Sequence, residues 1–174
     1  MDLIVNVIDN IINKKFVYLF ICLFIYKNIL YMSIQLENNI NHILSLTKLQ
    51  YINKYQYAQN NINLNFIHFI TITTNFIICI YSNYVEHNIN GFLTEIKMVQ
   101  QYFQKPILGI YITFFKISAV EEKNILDENN QNYNKIINIY NSDINRLSNM
   151  LMQILYSHNV YCYDNSGNIM MLNQ

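Results

Sequence analysis

The spacing of apolar residues along the chain predicts three amphipathic helices. Apolar positions recur every three or four residues in each, as a helix with one buried face requires. We place the helices at about 34–50, 93–104 and 132–157, the last having the longest regular period. The apolar positions are Leu36, Ile40, Ile43, Leu44 and Thr47, then Leu93, Ile96, Val99 and Phe103, then Ile136, Tyr140, Ile144, Leu147, Leu151 and Leu155.

Runs of β-branched and aromatic residues predict the strands. The run 64–85 breaks at Thr73-Thr74-Asn75, which indicates a turn between antiparallel strands at about 64–73 and 76–85. The apolar run 107–117 predicts a buried strand. Two short strands around an Asp164-Asn165-Ser166-Gly167 turn are predicted for the tail. The polar stretch up to Asn63 and the acidic stretch 118–131 are predicted loops, the second with a helical turn or two at its start.

These elements predict an α+β fold with the order α-ββ-α-β-α-ββ. The strands are apolar on both faces, so we expect a mixed sheet with helices packed on it. The domain organisation that follows is a single α+β domain over residues 32–174, preceded by an apolar N-terminal segment, residues 1–31.

Three interpretations of residues 1–31 stay open. The unbroken apolar run Phe16–Tyr26 follows Lys14 and Lys15, and it reaches residue 32 if Lys27 and Asn28 are tolerated. A spanning helix needs about 20 residues. The segment is therefore a membrane anchor or uncleaved signal at residues 16–32, or a buried helix or strand of the domain. In the third interpretation translation starts at Met32, where Ser33 would cap a helix and Glu37 would lie in its first turn.

Composition and charge weaken several functional interpretations. Of the residues, 52% are hydrophobic and 13% are charged, about half the usual charged fraction. Asn, Ile, Tyr, Phe and Lys have AT-rich codons, so their abundance is typical of drift in an AT-rich genome. The formal net charge is +0, and Arg146 is the only arginine. Nucleic-acid binding is therefore not expected, since it depends on basic clusters. The one stretch with interleaved aromatic and basic residues is Lys48, Tyr51, Lys54, Tyr55 and Tyr57.

Motifs for catalysis or cofactor binding are missing. The three glycines, Gly91, Gly109 and Gly167, are isolated, which excludes a P-loop or dinucleotide fingerprint. The one Cys/His pair close in sequence is His158 with Cys162, and we interpret both as structural. We predict no catalytic, cofactor-binding or metal-binding residue and no cofactor. The residues weighed for such roles are His42, His68, His87, Cys22, Cys79, Ser166, Glu121, Glu122, Asp127 and Glu128. The odd number of cysteines, each among apolar residues, indicates buried thiols in a reducing compartment.

The order strand, glycine-containing turn, helix, buried strand, serine, helix is similar in topology to the STAS fold of anti-sigma-factor antagonists. The similarity covers roughly Asn65 to Ser157 and depends on element order, not on a motif. It implies a partner-binding domain with a phosphorylatable serine at Ser118. That family's Asp-Ser-Ser-Gly-like turn is replaced here by Ile117-Ser118-Ala119-Val120.

The sequence favours a non-catalytic protein-binding or structural domain that contacts a protein partner or a second copy of itself. The reason is a large apolar content without recognisable chemistry. The resemblance to the STAS fold implies that such a domain has a regulatory role. Two alternatives stay open: a membrane-tethered protein anchored by residues 16–32, and an enzyme of unrecognised type. The expected location is cytoplasmic, with membrane association as the alternative.

Overall fold

The computed structural model of the protein describes residues 2–53, 64, 66–83, 88–126, 133–139 and 146–171. The chain divides into two compact units, Met1–Gln35 and Leu36–Gln174. Within the described residues the helices are α1 (Asp2–Leu46), α2 (Ile89–Phe103), α3 (Ala119–Leu126) and α4 (Arg146–Ser157). The strands are β1 (Tyr51–Asn53), β2 (Ile67–Ile72), β3 (Ile77–Asn83), β4 (Ile107–Thr113) and β5 (Lys135–Asn138).

The five strands form one mixed sheet in the order β1-β2-β3-β4-β5. β1, β2 and β3 are antiparallel, with Ile70 opposite Cys79, whereas β3, β4 and β5 are parallel, with Cys79 opposite Gly109. Thr73 closes the turn between β2 and β3, because its Oγ1 donates to the Phe76 carbonyl at 2.6 Å and accepts from the Phe76 amide at 3.0 Å. The predicted α+β fold, its central antiparallel pair and the buried strand after Pro106 are confirmed.

Helices cover both faces of the sheet, so the second unit has three layers. Alternate residues of a strand point to opposite faces, and in β4 they join two different apolar clusters. One cluster includes α4 and the part of α1 that follows Leu36. The other includes α2 and Ile125 of α3. Every residue of β4 is buried, as expected of a strand covered on both sides.

The predicted second helix is present and begins earlier than expected. α2 starts at Ile89 because the Asn88 side chain accepts a hydrogen bond from the Gly91 amide at 2.8 Å, which satisfies one of the free amides of the first turn. It ends at Phe103, and the cap residue Gln104 has a left-handed backbone with φ 53°. Glu95 is not one of the apolar positions that predict this helix, yet its carboxylate is buried and accepts from the amides of Phe66 and Ile67 at 2.9 and 2.7 Å.

The predicted helix over 132–157 is wrong in its first part. Lys135–Asn138 is strand β5, and Ile136 and Ile137 pair with Tyr111 and Ile112 of β4. Helix α4 begins only at Arg146. Ile136 matches the helical period by its spacing, but as a β-branched residue it also suits a strand. The remaining predicted positions, Tyr140 and Ile144, lie outside the described residues.

Three further boundaries differ from prediction. α1 is continuous through Met32 and Ser33, whereas the predicted helix began at about residue 34. Tyr51–Asn53 pairs with β2 as an edge strand where a loop was predicted, and residues 54–63 lie outside the described part. The tail has its predicted turn, but only one bridge, Tyr163 with Ile169, stands in place of two strands.

Candidate functional site

Most of the exposed large apolar side chains of the described chain lie on α1. We define the apolar segment as residues 16–32 of this helix. Its described side chains, 17–28 and 30–32, are all exposed, with Tyr18 at 75%, Phe20 at 73% and Tyr26 at 66%. Consecutive residues of a helix are 100° apart, so the run Val17–Tyr26 presents apolar side chains on every side of the helix.

The exposed part of α1 has a length and composition suited to a membrane span. The stretch Val17–Leu46 is long and apolar enough to cross a membrane by length and composition, and none of its most apolar part is buried. A signal sequence near an N-terminus has the same properties. A helix that is apolar all round is typically surrounded by lipid or by protein. Within its own unit, Met1–Gln35, none of the described side chains between 17 and 28 is buried.

A second feature is a cleft at the end of the sheet where β2 turns into β3. Its volume is about 320 Å³. We define this turn cleft by the residues that line it. They are Thr47, Leu49, Thr73, Thr74, Asn75, Phe76, His158, Asn159, Val160, Tyr161 and Tyr163. These residues come from the ends of α1 and α4, the β2–β3 turn and the tail.

The tautomer of His158 follows from its surroundings in the turn cleft. Its Nδ1 lies 2.9 Å from the Ile154 carbonyl oxygen and 3.0 Å from Ser157 Oγ. A carbonyl oxygen can only accept, so Nδ1 carries the hydrogen and Nε2 of the neutral ring is an acceptor. The ring also packs edge-on with Phe76 and Tyr133, with ring centroids 6.2 and 6.1 Å away.

Two lysines lie beside the turn cleft. The Lys48 ammonium is 4.5 Å from the centroid of the Tyr163 ring, within the range of a cation–π interaction. Lys105 Nζ donates to the Thr73 carbonyl at 3.0 Å. The lining residues include no carboxylate. The carboxylate next to Tyr163, Asp164, accepts from the amides of Ser166 and Asn168, and the Asn168 amide is the main reason that its pKa is lowered.

A smaller hollow of about 210 Å³ lies between the first turn of α2 and α3. It is lined by Asn88, Ile89, Asn90, Glu121 and Asn124.

Two tyrosines of neighbouring strands stack in the core. The rings of Tyr81 in β3 and Tyr111 in β4 have centroids 4.6 Å apart and planes 3° apart. Burial, and then the neighbouring Tyr81, raise the pKa of the Tyr111 hydroxyl well above its ordinary value. This phenol therefore stays protonated and is suited to hydrogen bonding, not to acid–base catalysis at neutral pH.

Ser118, the position implied by the STAS resemblance, caps α3. Its Oγ and its amide both donate to Glu121 Oε2, at 2.7 and 2.8 Å, and its Oγ accepts from the Glu121 amide at 3.3 Å. This reciprocal arrangement is a capping box. It accounts for Ser118 and Glu121 as structural residues of the helix end.

The cysteines do not form a reactive site in the described chain. Cys79 is completely buried, and burial, then Glu95, raise the pKa of its thiol. Burial raises the pKa of Cys162 to about 11, and its thiol contacts the Ile43 carbonyl, not His158. The expectation that all three thiols are buried is wrong for Cys22, which lies exposed on the apolar segment.

The other residues weighed for metal binding or catalysis do not come together in the described part of the chain. No group of three metal-ligating side chains occurs among the described residues. His42 is exposed on α1, whereas His68 Nδ1 lies 3.0 Å from Ser82 Oγ. Glu122 is exposed, and Ser166 lies in the predicted turn. His87, Asp127, Glu128, Lys54, Tyr55 and Tyr57 lie outside the described residues.

Sequence reasoning missed the turn cleft and the role of Glu95. Residues of the cleft are up to 116 positions apart, from Thr47 to Tyr163, and no local spacing brings them together. Comparisons with known proteins add no assignment: no family model matches the chain, and neither a curated protein nor a solved structure matches it.

Proposed function

We propose that the protein is a non-catalytic domain held at a membrane by the apolar segment, residues 16–32. The observation that supports this is the exposure of apolar side chains all around α1 between Val17 and Tyr26. Removing apolar surface from water is favourable by about 25 cal/mol per Å². A monomer in water therefore has a strong drive to place this segment in another environment.

A lipid bilayer fits the segment better than a flat protein surface does. An interfacial helix needs a polar face opposite its apolar face, and Val17–Tyr26 has none. The apolar segment would extend about 26 Å at 1.5 Å per residue, close to the roughly 30 Å of a hydrocarbon core. Tyr18 and Tyr31 lie near its two ends, where tyrosines favour the interface. Lys27 is the one charged residue within it, and its long side chain can extend towards the headgroups.

The first experiment compares membrane retention of the full chain and two charged variants after alkaline carbonate extraction. Leu19→Glu with Leu23→Glu places two carboxylates on the apolar segment, where each costs about 2.5–3.5 kcal/mol at the centre of a bilayer. Met98→Glu with Tyr102→Glu is the matched control, because these side chains are exposed and apolar on α2. We expect the parent and the control to stay in the membrane pellet and the first variant to be released.

Release of the parent chain would overturn the proposal. If the released protein is an oligomer by light scattering, a second copy covers the segment instead of lipid. If it is a monomer lacking residues 1–31 by intact mass, the segment is not part of the mature protein.

Cysteine labelling gives an independent test in intact membranes. Cys22 lies in the apolar segment, and Cys79 and Cys162 are buried. A membrane-impermeant maleimide should therefore label the parent slowly. Asn38→Cys in a Cys22→Ser background places the thiol at an exposed position further along α1, and it should be labelled rapidly. Equal rates for Cys22 and the Asn38→Cys thiol would contradict burial in lipid.

A further inference from the structure

The volume of the turn cleft lies at the lower end of the range found for small-molecule sites. Ligand sites typically have volumes of about 300–1,000 Å³, with mostly apolar walls and a few polar groups that fix orientation. The turn cleft has a volume of about 320 Å³ and aromatic side chains on several sides. His158, Tyr161 and Tyr163 lie within six residues of one another, and Phe76 comes from the distant β2–β3 turn, so the fold brings these two groups of rings to one cleft.

The walls of the cleft are rigid on the side of His158. The ring is held by Phe76 and Tyr133, and Nδ1 is committed to the Ile154 carbonyl. Tyr161 packs on Tyr156 with ring centroids 5.5 Å apart, and the Tyr156 hydroxyl donates to the Met170 carbonyl at 2.6 Å. A pre-formed aromatic wall favours a planar ligand, because stacking then costs little side-chain entropy.

The polar groups around the cleft indicate which charge and which hydrogen-bonding groups a ligand needs. His158 Nε2 is an acceptor and therefore calls for a hydrogen-bond donor on the ligand. Lys48 is held over the Tyr163 ring at the rim, and Lys105 is held at Thr73. The negative C-terminal ends of α1 and α4 also lie near the cleft, where the Leu46 carbonyl accepts from the Tyr163 amide and the Leu155 carbonyl from the Val160 amide. The two full positive charges of Lys48 and Lys105, with no carboxylate among the lining residues, outweigh these partial charges and favour a negative group on the ligand.

We propose that the turn cleft binds a small planar aromatic anion that carries a hydrogen-bond donor. The ring packs against Phe76 and Tyr161, the donor faces His158 Nε2, and the anionic group faces Lys48. An aromatic amino acid-like carboxylate and a purine nucleotide both have this chemistry. This inference does not depend on the membrane proposal.

The test is isothermal titration of the full chain in detergent with matched probes. 2-Aminobenzoate has the ring, donor and negative charge, and 2-aminobenzamide is its neutral counterpart. We expect 2-aminobenzoate to bind at about 1 mM or tighter and the amide about tenfold more weakly, since one charge-assisted hydrogen bond is worth about that factor. Adenosine monophosphate and inorganic phosphate distinguish a nucleotide ligand from a simple acid and from the anion alone.

Four variants locate the binding site. His158→Phe keeps a ring and removes the acceptor, and Lys48→Asn removes the charge while tolerating the left-handed backbone at this position, φ 59°. Each should weaken binding of 2-aminobenzoate about tenfold. The controls His42→Phe and Lys97→Asn change exposed side chains outside the cleft and should leave the dissociation constant unchanged within about twofold.

Each other outcome overturns the inference. If neither 2-aminobenzoate nor adenosine monophosphate binds at about 1 mM, the cleft does not take this ligand class. Equal binding of the amide and the acid, or of phosphate alone, removes the argument for an aromatic anion. If Leu19→Glu with Leu23→Glu abolishes binding while His158→Phe does not, the probe binds to the apolar segment instead.

Discussion

At the scale of single residues, close packing on β4 is the clearest constraint. A Cβ atom added at Gly109 would overlap Asn134 Oδ1 and Ile96 Cδ1, and it would lie 3.1 Å from Phe92 Cζ. Because Gly109 has no side chain, α2 can approach β4 closely at this position. Glycine is required here for its lack of a side chain, since only Gly167 among the described glycines has a positive φ.

Gly109→Ala should therefore destabilise the fold by about 1–3 kcal/mol through overpacking. The free energy of unfolding from urea titration measures this effect. Asn149→Ala, at an exposed position of α4, is the control and should change stability by less than about 0.5 kcal/mol. A Gly109→Ala protein as stable as the parent would contradict the packing argument.

Glu95 gives a second prediction because its carboxylate is the acceptor for two backbone amides. Glu95→Ala leaves the amides of Phe66 and Ile67 without this acceptor and should cost about 3 kcal/mol of stability. Glu95→Gln keeps a carbonyl oxygen at the same place and should cost only about 1 kcal/mol. The difference between the two variants in urea unfolding tests the hydrogen bonds. Equal losses would assign the effect to packing alone.

At the scale of elements, the sheet is stabilised from its centre. β3 and β4 each have strand neighbours on both sides, and helices cover both faces of β4. β1 lies at one edge and has three residues. Edge strands open more readily, because fewer buried contacts are lost when they separate.

Hydrogen exchange should show this order directly. Amides of Ile107–Thr113 should exchange most slowly, and those of Tyr51–Asn53 should exchange at least about 100-fold faster. Exchange measured by mass spectrometry on peptides from each strand provides the comparison. Equal protection of β1 and β4 would show that the edge is covered by something outside the described chain.

Whether an element depends on local signals or on pairing also explains which helices and strands could be predicted from the sequence. The β2–β3 pair, α2, β4 and α4 were predicted because their periodicity, turn residues and proline act locally. β5 was not, since Ile136 fits a helical period and Lys135–Asn138 becomes a strand only by pairing with β4. The short edge strand β1 likewise depends on its partner β2.

At the scale of the whole molecule, one helix serves two environments. α1 is continuous from Asp2 to Leu46, yet Leu23 is 59% exposed and Ile40 is completely buried in the sheet domain. Both are large aliphatic residues in apolar sequence. Their different roles depend on whether the domain provides a partner surface.

Charge substitutions on α1 should separate these roles. Ile40→Glu places a carboxylate in the core and should abolish folding, because an unpaired buried charge costs more than a typical domain's stability margin. Leu23→Glu leaves the core untouched and should not change the unfolding midpoint of the domain in detergent. Near-ultraviolet circular dichroism of the tyrosines reports folding. A stable, folded Ile40→Glu protein would contradict the placement of α1 against the sheet.

The sequence by itself determined the α+β class, the central hairpin, α2 and the buried strand β4, because these follow from local periodicity and turn chemistry. It also identified the apolar segment by composition. The tertiary structure decided which apolar residues are buried, converted part of a predicted helix into β5, and brought Thr47, Phe76 and His158 together in the turn cleft. Burial and long-range pairing depend on contacts between residues far apart in sequence, and no single segment contains that information.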